Sequence, residues 1–363
     1  MKIVYFIDHL RPDGTQRVLT QMVQGLGGRG HSQAVVCLND SWDAGIVDSM
    51  QANGCPVRVV GKAALVSGVG LVKLFRWLRR ERFERAVTLL FFADVLGRPL
   101  ARAAGVPRLV TYVQARNTNY SGWQRWLVRK TMPLADRVVV CTRYLGEYVL
   151  QAEGATADQI RVIPHGISMN GSKAFKDSQA LRREFNIPSG APLVGSLGRL
   201  TRQKGYDVLL EAIAHMAQPD VHVLIAGSGE ALPGLQAQAE RLNLSEQVHF
   251  AGYRQDAPDV LHALDVYVQP SRFEGMPNAV LEAMAAGCPI VASGVDGHRE
   301  LIQDGINGWL VPPEDSQSLA KALVAALSNP EDARRRGQAA KSKVENEYCL
   351  VNMINAWNNV LMR

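Results

Sequence analysis

The chain has 363 residues, of which 47% are hydrophobic and 20% charged, with 32 glycines and 17 prolines. That length favours two domains of ordinary size, and that composition excludes collagen-like, disordered and low-complexity chains. The formal charge of +6 is unevenly spread: 22 Lys/Arg stand against 12 Asp/Glu up to Arg161, and 18 against 22 beyond it.

The first half therefore carries +10 and the second −4. A positive domain suits a phosphorylated substrate, an anionic lipid surface or nucleic acid, and solvated basic helix faces explain it equally well. No apolar run reaches the roughly 18 residues that a spanning helix needs. The opening MKIVYFIDHLRPDGTQ, with one lysine and charges at Asp8 and Arg11, makes a poor signal peptide, so a cytoplasmic location is expected. The five cysteines (Cys37, Cys55, Cys141, Cys288 and Cys349) are scattered and never spaced C-x-x-C. Neither a disulfide framework nor a metal site is expected.

In chain order, short β-branched runs alternate with helical patterns from the first residue, the sequence form of a parallel sheet covered by helices. The fold class is α/β. Strands are predicted at 2–7, 33–38, 57–60, 85–90, 108–113 and 137–141, then at 192–198, 221–227, 247–250, 265–270 and 289–293. Two such sheets need two cores. The boundary is expected after the strand-to-turn segment RVIPHGIS (161–168), giving one domain over 1–168 and another over 169–343, with a linker and short helix in NGSKAFKDSQALRREFNIPSGA (170–191). The last stretch, 344–363, has Val351, Ile354, Trp357, Val360 and Leu361 at helical spacing and is expected to pack back on the first domain.

Gly25, Gly27 and Gly30 satisfy the dinucleotide fingerprint by letters, yet they close a helix predicted at 15–25 and precede a strand, which reads as a helix stop and a turn. Gly14 is better placed, between the first strand and that helix, where a ligand could approach the backbone; an ordinary turn explains it as well. In GSLGRLTRQKGYDVLLEAI (195–213), Gly198, Arg199 and Lys204 lie in a glycine-flanked loop after the second domain's first strand. Two cations at the carboxyl end of a parallel strand can neutralise a diphosphate, against the plainer reading of a solvated loop. The most specific string is SRFEGMPNAVLEAMAAGCPIVAS (271–293), with Glu274 and Glu282 eight apart and Gly275, Met276, Pro277 and Asn278 leading into a helix that Gly287 ends. Proline suits a helix's first turn and the free amides there suit phosphate. Glu282 then either accepts hydrogen bonds from a ribose or is an ordinary exposed helix glutamate. Two basic segments, LVKLFRWLRRERFER (71–85) and YSGWQRWLVRK (120–130), combine cations with aromatic residues and fit either an anionic membrane surface or a core-facing helix with a solvated basic side.

These strings resemble the retaining glycosyltransferases of family 4, with the GT-B architecture of two Rossmann-like domains facing across a cleft. The resemblance is strong across Gly195 to Pro312, including AGSGE (226–230) and GHRELIQDGINGWLVPP (297–313). It implies that Arg199 and Lys204 offset the charge of a donor diphosphate in place of a metal ion, with no cofactor beyond the nucleotide sugar itself. It further implies that Glu282 holds the ribose, that Glu274 contacts the transferred sugar, and that the amides from Gly275 to Asn278, with Gly14 and Gly198, cradle the phosphates. The base is expected near Tyr253 and Arg254. Many members carry a histidine after the strand corresponding to 108–113; here Arg116 and Asn117 stand in its place as acceptor-side candidates, and His165 reads as structural.

The implied reaction moves a sugar from a nucleotide diphosphate, UDP ahead of GDP, to a saccharide or lipid-linked acceptor with retained configuration. An epimerase or phosphorylase is the alternative on the same architecture. A nucleic-acid-binding protein is a distant one, lacking any recognition motif, so no nucleic-acid partner is expected. The sequence carries no signal of oligomeric state.

Overall fold

A computed structural model describes residues 1–117, 119–169 and 178–362, so 170–177 of the expected linker lie outside the described residues, while its short helix runs Ser178–Glu184. The chain forms two compact units, Met1–Gly166 with Leu350–Arg363, and Ile167–Cys349. The divisions thus fall after Gly166 and after Cys349, where the sequence suggested 168 and 343.

The first unit is built on seven parallel strands: β1 (Lys2–Ile7), β2 (Ser32–Cys37), β3 (Val57–Val59), β4 (Arg85–Leu89), β5 (Arg108–Val113), β6 (Arg137–Val140) and β7 (Ile160–Val162). Their order is β3-β2-β1-β4-β5-β6-β7. Because side chains alternate along a strand, β1 serves two cores at once. Ile3, Tyr5 and Ile7 face Val18, Leu19, Met22 and Val23 of the helix Gly14–Gly27, whereas Val4 and Phe6 face Leu74 and Leu78 of the helix Val69–Glu81.

The second unit has six parallel strands: β8 (Leu193–Leu197), β9 (His222–Ala226), β10 (Val248–Gly252), β11 (Val266–Gln269), β12 (Ile290–Ser293) and β13 (Trp309–Val311). Their order is β10-β9-β8-β11-β12-β13. The three-residue β13 is too short to announce itself by pattern and was not among the expected strands. Chain order reverses between β8 and β11, which pair in register Val266↔Val194 and Tyr267↔Gly195. In open α/β sheets the crevice beyond the carboxyl ends of two such strands is where ligands bind. The loops that leave β8 and β11 carry Arg199 and Lys204 on one side and Glu274 on the other.

The C-terminal stretch is not one continuous helix from 344. A helix Pro330–Glu347 stops, and a separate helix Leu350–Met362 belongs to the first unit, burying Met353, Ile354, Trp357 and Leu361 while Val351 points to solvent. Trp357 meets Tyr112 of β5 edge-on at 4.8 Å between ring centroids. This docking also explains Gly25, since a Cβ there would lie 2.5 Å from the Ile354 side chain. The letters of a dinucleotide fingerprint are here a packing contact.

Candidate active site

The loop after β8 is shaped by what it must avoid. Gly198 donates its N–H to the Ala226 carbonyl at 3.0 Å, and a 3-10 turn over Arg202–Lys204 then runs into Gly205, whose φ of +69° lies in the left-handed region. A Cβ on Gly205 would stand 2.1 Å from the Pro270 carbonyl oxygen, so only glycine lets this loop meet the one after β11. The two loops are stitched by Arg272 N–H to the Gln203 carbonyl at 2.8 Å and by Gln203 Nε2 to the Phe273 carbonyl at 2.9 Å. Arg272 itself pairs with Asp207 at 2.7 Å and Glu314 at 2.8 Å, so this third cation is used in bracing.

Closing the loops brings Lys204 Nζ to 2.7 Å from Glu274 Oε1, with the two side chains 14% and 7% exposed. The same oxygen accepts from Ser271 Oγ at 2.7 Å, and Oε2 accepts from Gln203 Nε2 at 3.4 Å. Ser271 is held by Gln269 Nε2 at 3.0 Å, and Gln269 Oε1 accepts from Tyr267 at 2.6 Å, a relay along the end of β11. Burial works to raise the Glu274 pKa, but the Lys204 charge, the hydrogen bonds from Lys204 and Ser271 and, at low pH where its ring is protonated, His298 outweigh it and hold the carboxyl below its ordinary value.

Met276 and Pro277 are buried, and Pro277, whose side chain makes no cap hydrogen bond, leads into the helix Asn278–Ala286. Its backbone bonds begin with Val280 and Leu281 donating to the Pro277 carbonyl at 3.1 and 3.2 Å, so the positive end of the helix directly follows the Glu274 loop in the chain. Gly287 ends it with a φ of +73°. Glu282 lies half-buried in its second turn, and Gly275 packs against Gly297, where an added Cβ would come within 2.3 Å of the Gly275 carbonyl oxygen. Arg199 is exposed at the start of the β8 loop.

In the second unit Lys204 and Glu274 meet directly beyond β8 and β11; Gly198 and Arg199 precede Lys204 on its loop, and Gly275 to Asn278 and then Glu282 follow Glu274 into the helix. Tyr253 and Arg254 follow β10 at the far edge of the sheet. Tyr253 is 74% exposed and offers its ring. Arg254 is already bound by Asp256 at 2.6 Å and Glu184 at 2.5 Å, pairs that push its pKa up, so its charge serves the local fold. Sequence reasoning missed Gln203, Ser271 and Gln269 because nothing in their spacing distinguishes them from loop and strand polar residues.

Gly14, Arg116 and Asn117 belong to the first unit. Gly14 is exposed and is the first residue of the helix Gly14–Gly27. Arg116 lies with its guanidinium 5.9 Å from the Tyr148 ring centroid. Asn117 donates to Glu153 Oε1 at 2.7 Å. His165 is buried edge-on to Tyr112 at 6.4 Å, a structural placement.

Glu153 is part of a buried acidic group that the sequence did not disclose. Asp8, just past β1, accepts from the amides of Phe92 and Ala93 at 3.0 and 2.7 Å, and Asp94 pairs with the fully buried Arg98 at 3.1 Å while accepting from Thr88 at 2.6 Å. Burial pushes Asp8 up to about 7 against those amide bonds, with Asp94 adding to the rise, and pushes Glu153 up to about 7 against its bond from Asn117.

A strand order that reverses beside cation-bearing and carboxylate-bearing loops is the ligand-binding arrangement of open α/β proteins. Residues 177–343 match the family described as glycosyl transferases group 1, and residues 12–170 match glycosyltransferase family 4. The Escherichia coli UDP-Gal:alpha-D-GlcNAc-diphosphoundecaprenol alpha-1,3-galactosyltransferase is 25% identical over 94% of this chain and 92% of its own length. A Mycolicibacterium smegmatis GDP-mannose-dependent alpha-(1-6)-phosphatidylinositol monomannoside mannosyltransferase is 30% identical over 67% of each chain. The Anabaena protein HepE, solved with UDP and glucose, shares the fold with a TM-score of 0.89 at 22% identity, covering 100% of this chain and 99% of that one.

The chain belongs to the family 4 glycosyltransferases, of GT-B fold, and is a glycosyltransferase that uses a nucleotide sugar.

Lys204→Met leaves Glu274 buried without its counter-charge and is expected to destabilise the second unit by about 3–5 kcal/mol. Adding Glu274→Gln should recover a large part of that loss; denaturant midpoints of the two single variants and the double variant measure the coupling, and strictly additive effects would dissolve the pair. For the first unit, acids whose pKa is raised by folding bind protons more readily folded than unfolded. Its stability is therefore expected to fall as pH rises from about 4 to about 7. Asp8→Asn with Glu153→Gln should flatten that dependence, as urea midpoints across the range will show.

Proposed function

We propose that this enzyme transfers a hexosyl or N-acetylhexosaminyl unit from a UDP-sugar to a saccharide or lipid-linked acceptor, without a metal ion and with retention at the anomeric carbon. The observation that carries the reading is the Lys204–Glu274 pair at the switch point, with Arg199 on the same loop. Breaking a sugar–phosphate bond builds negative charge on the leaving diphosphate and positive charge on the sugar, so fixed cations at the phosphate and a carboxylate at the sugar lower the barrier where charge develops. The acceptor oxygen forms its bond to the anomeric carbon on the face from which UDP leaves, and its proton passes to the departing phosphate. UDP is favoured over GDP because the relative aligned along nearly the whole chain is named for a UDP-galactose donor and HepE was solved with UDP.

A lipid-linked acceptor fits one surface. The helix Val69–Glu81 turns Leu74 and Leu78 into the core, whereas the helix Gly122–Thr131 leaves Trp123 and Trp126 59% and 58% exposed among the exposed Arg125, Arg129 and Lys130. Among the described residues no helix is long and apolar enough to cross a membrane. The tryptophan helix therefore supplies peripheral contact with anionic lipid.

In a thermal-shift screen, UDP and one UDP-sugar are expected to raise the melting temperature equally with and without EDTA, and Arg199→Ala to lower turnover by about two decades or more with the fold intact. Stabilisation by GDP-sugars alone, or an EDTA-sensitive shift, overturns the donor assignment. Co-sedimentation with phosphatidylcholine vesicles should rise when phosphatidylglycerol is included and drop for Trp123→Ala with Trp126→Ala; binding indifferent to lipid charge removes the membrane reading.

A further inference from the structure

His298 is fully buried in the short helix Asp296–Leu301. Its Nδ1 lies 2.6 Å from the Ser293 carbonyl oxygen. A carbonyl only accepts, so Nδ1 carries the hydrogen and, in the neutral ring, Nε2 presents a lone pair. That atom is buried and has no hydrogen-bond partner among the described residues. Burial holds the ring's pKa below its ordinary value, with Glu274 pulling the other way, which keeps the lone pair available near neutral pH. Buried polar atoms in folded proteins are almost always satisfied, and an exception asks for a reason.

The surroundings supply one. Glu274 and Lys204 are the two charges that act on the ring. The preceding residue, Gly297, sits so close to the Glu274 loop that a Cβ would lie 2.3 Å from the Gly275 oxygen and 3.0 Å from Glu274 Cβ. The helix is thereby pinned against the loop that carries the carboxylate. The neighbouring polar groups Ser271, Gln269 and Gln203 all have partners, whereas Nε2 has none among the described residues.

We propose that His298 is a donor-sugar contact: Nε2 accepts a hydrogen bond from a hydroxyl of the transferred sugar, next to a second hydroxyl held by Glu274. This rests on the nucleotide-sugar reading of the site. A carboxylate and an imidazole lone pair are both pure acceptors, and a sugar ring offers neighbouring hydroxyl hydrogens to match them. Lys204 donates to Glu274 Oε1 at 2.7 Å. A donor diphosphate draws that ammonium to itself, and the sugar hydroxyls take its place at Glu274 and at Nε2. UDP alone does not need the contact; a UDP-sugar does.

Calorimetric titration of UDP, UDP-glucose, UDP-galactose and UDP-N-acetylglucosamine into wild type, His298→Phe and His298→Asn tests this. Wild type should bind one UDP-sugar more tightly than UDP. His298→Phe, which keeps ring volume but no acceptor, should hold UDP affinity within about twofold and lose about tenfold for that sugar nucleotide, the worth of one hydrogen bond. His298→Asn, which keeps an acceptor oxygen, should fall between. The proposal is overturned if His298→Phe keeps the sugar preference, if it loses UDP and UDP-sugars alike, or if no UDP-sugar outbinds UDP in wild type. Failure of wild type to bind any UDP ligand removes the donor assignment itself, and this contact with it.

Discussion

An ammonium and a carboxylate 2.7 Å apart, both largely withdrawn from water, set the terms for the second unit. Desolvating two such charges costs several kcal/mol per ion unless geometry and further hydrogen bonds offset it. Here Ser271 and Gln203 supply those bonds, and each stands on a loop whose path is fixed by the other loop. Remove the close approach at Gly205 and the loops part; with them goes the carboxylate's shelter. The pair therefore depends on the sheet order that sets β8 beside β11, and much of the loop backbone exists to make the pair possible.

The first unit treats buried charge in the opposite way. Asp8, Asp94 and Glu153 lie near one another with Arg98 as the buried cation, and burial raises the pKa of each carboxyl where Glu274 is held down. The difference is the balance between burial and the answering groups: at Glu274 Lys204 and Ser271 outweigh desolvation, at Asp94 desolvation prevails even over the Arg98 pair, and Asp8 and Glu153 are bonded by neutral N–H donors. Neutral donors help a carboxylate but do not answer its charge. Asn117, expected from the sequence as an acceptor-side candidate, is tied to Glu153 by this arrangement.

Strands with continuous apolar runs, such as 2–7 and 108–113, were legible to the residue because both faces of a parallel sheet are buried. β13 was not, since three residues do not make a pattern. The helix 344–361 read as one element because periodicity persists through Tyr348 and Cys349, although the chain interrupts there. Arg254 illustrates a harder limit: its position after β10 suggested ligand contact, but Glu184 that occupies it is 70 residues away in the chain.

By itself the sequence determined the class of chemistry. Glu274 and Glu282 with their glycine-proline entry, and Arg199 and Lys204 between glycines, are local arrangements whose meaning depends on spacing, and spacing is written in the chain. Tertiary structure decided which of these groups meet, which cations are already taken, and which polar atoms lie buried. Arg272, Arg254, Glu153 and His298 acquired their states from neighbours distant in sequence or from burial itself. Charge and hydrogen bonding act through distance in space and through the surrounding dielectric, and neither quantity exists until the chain has folded.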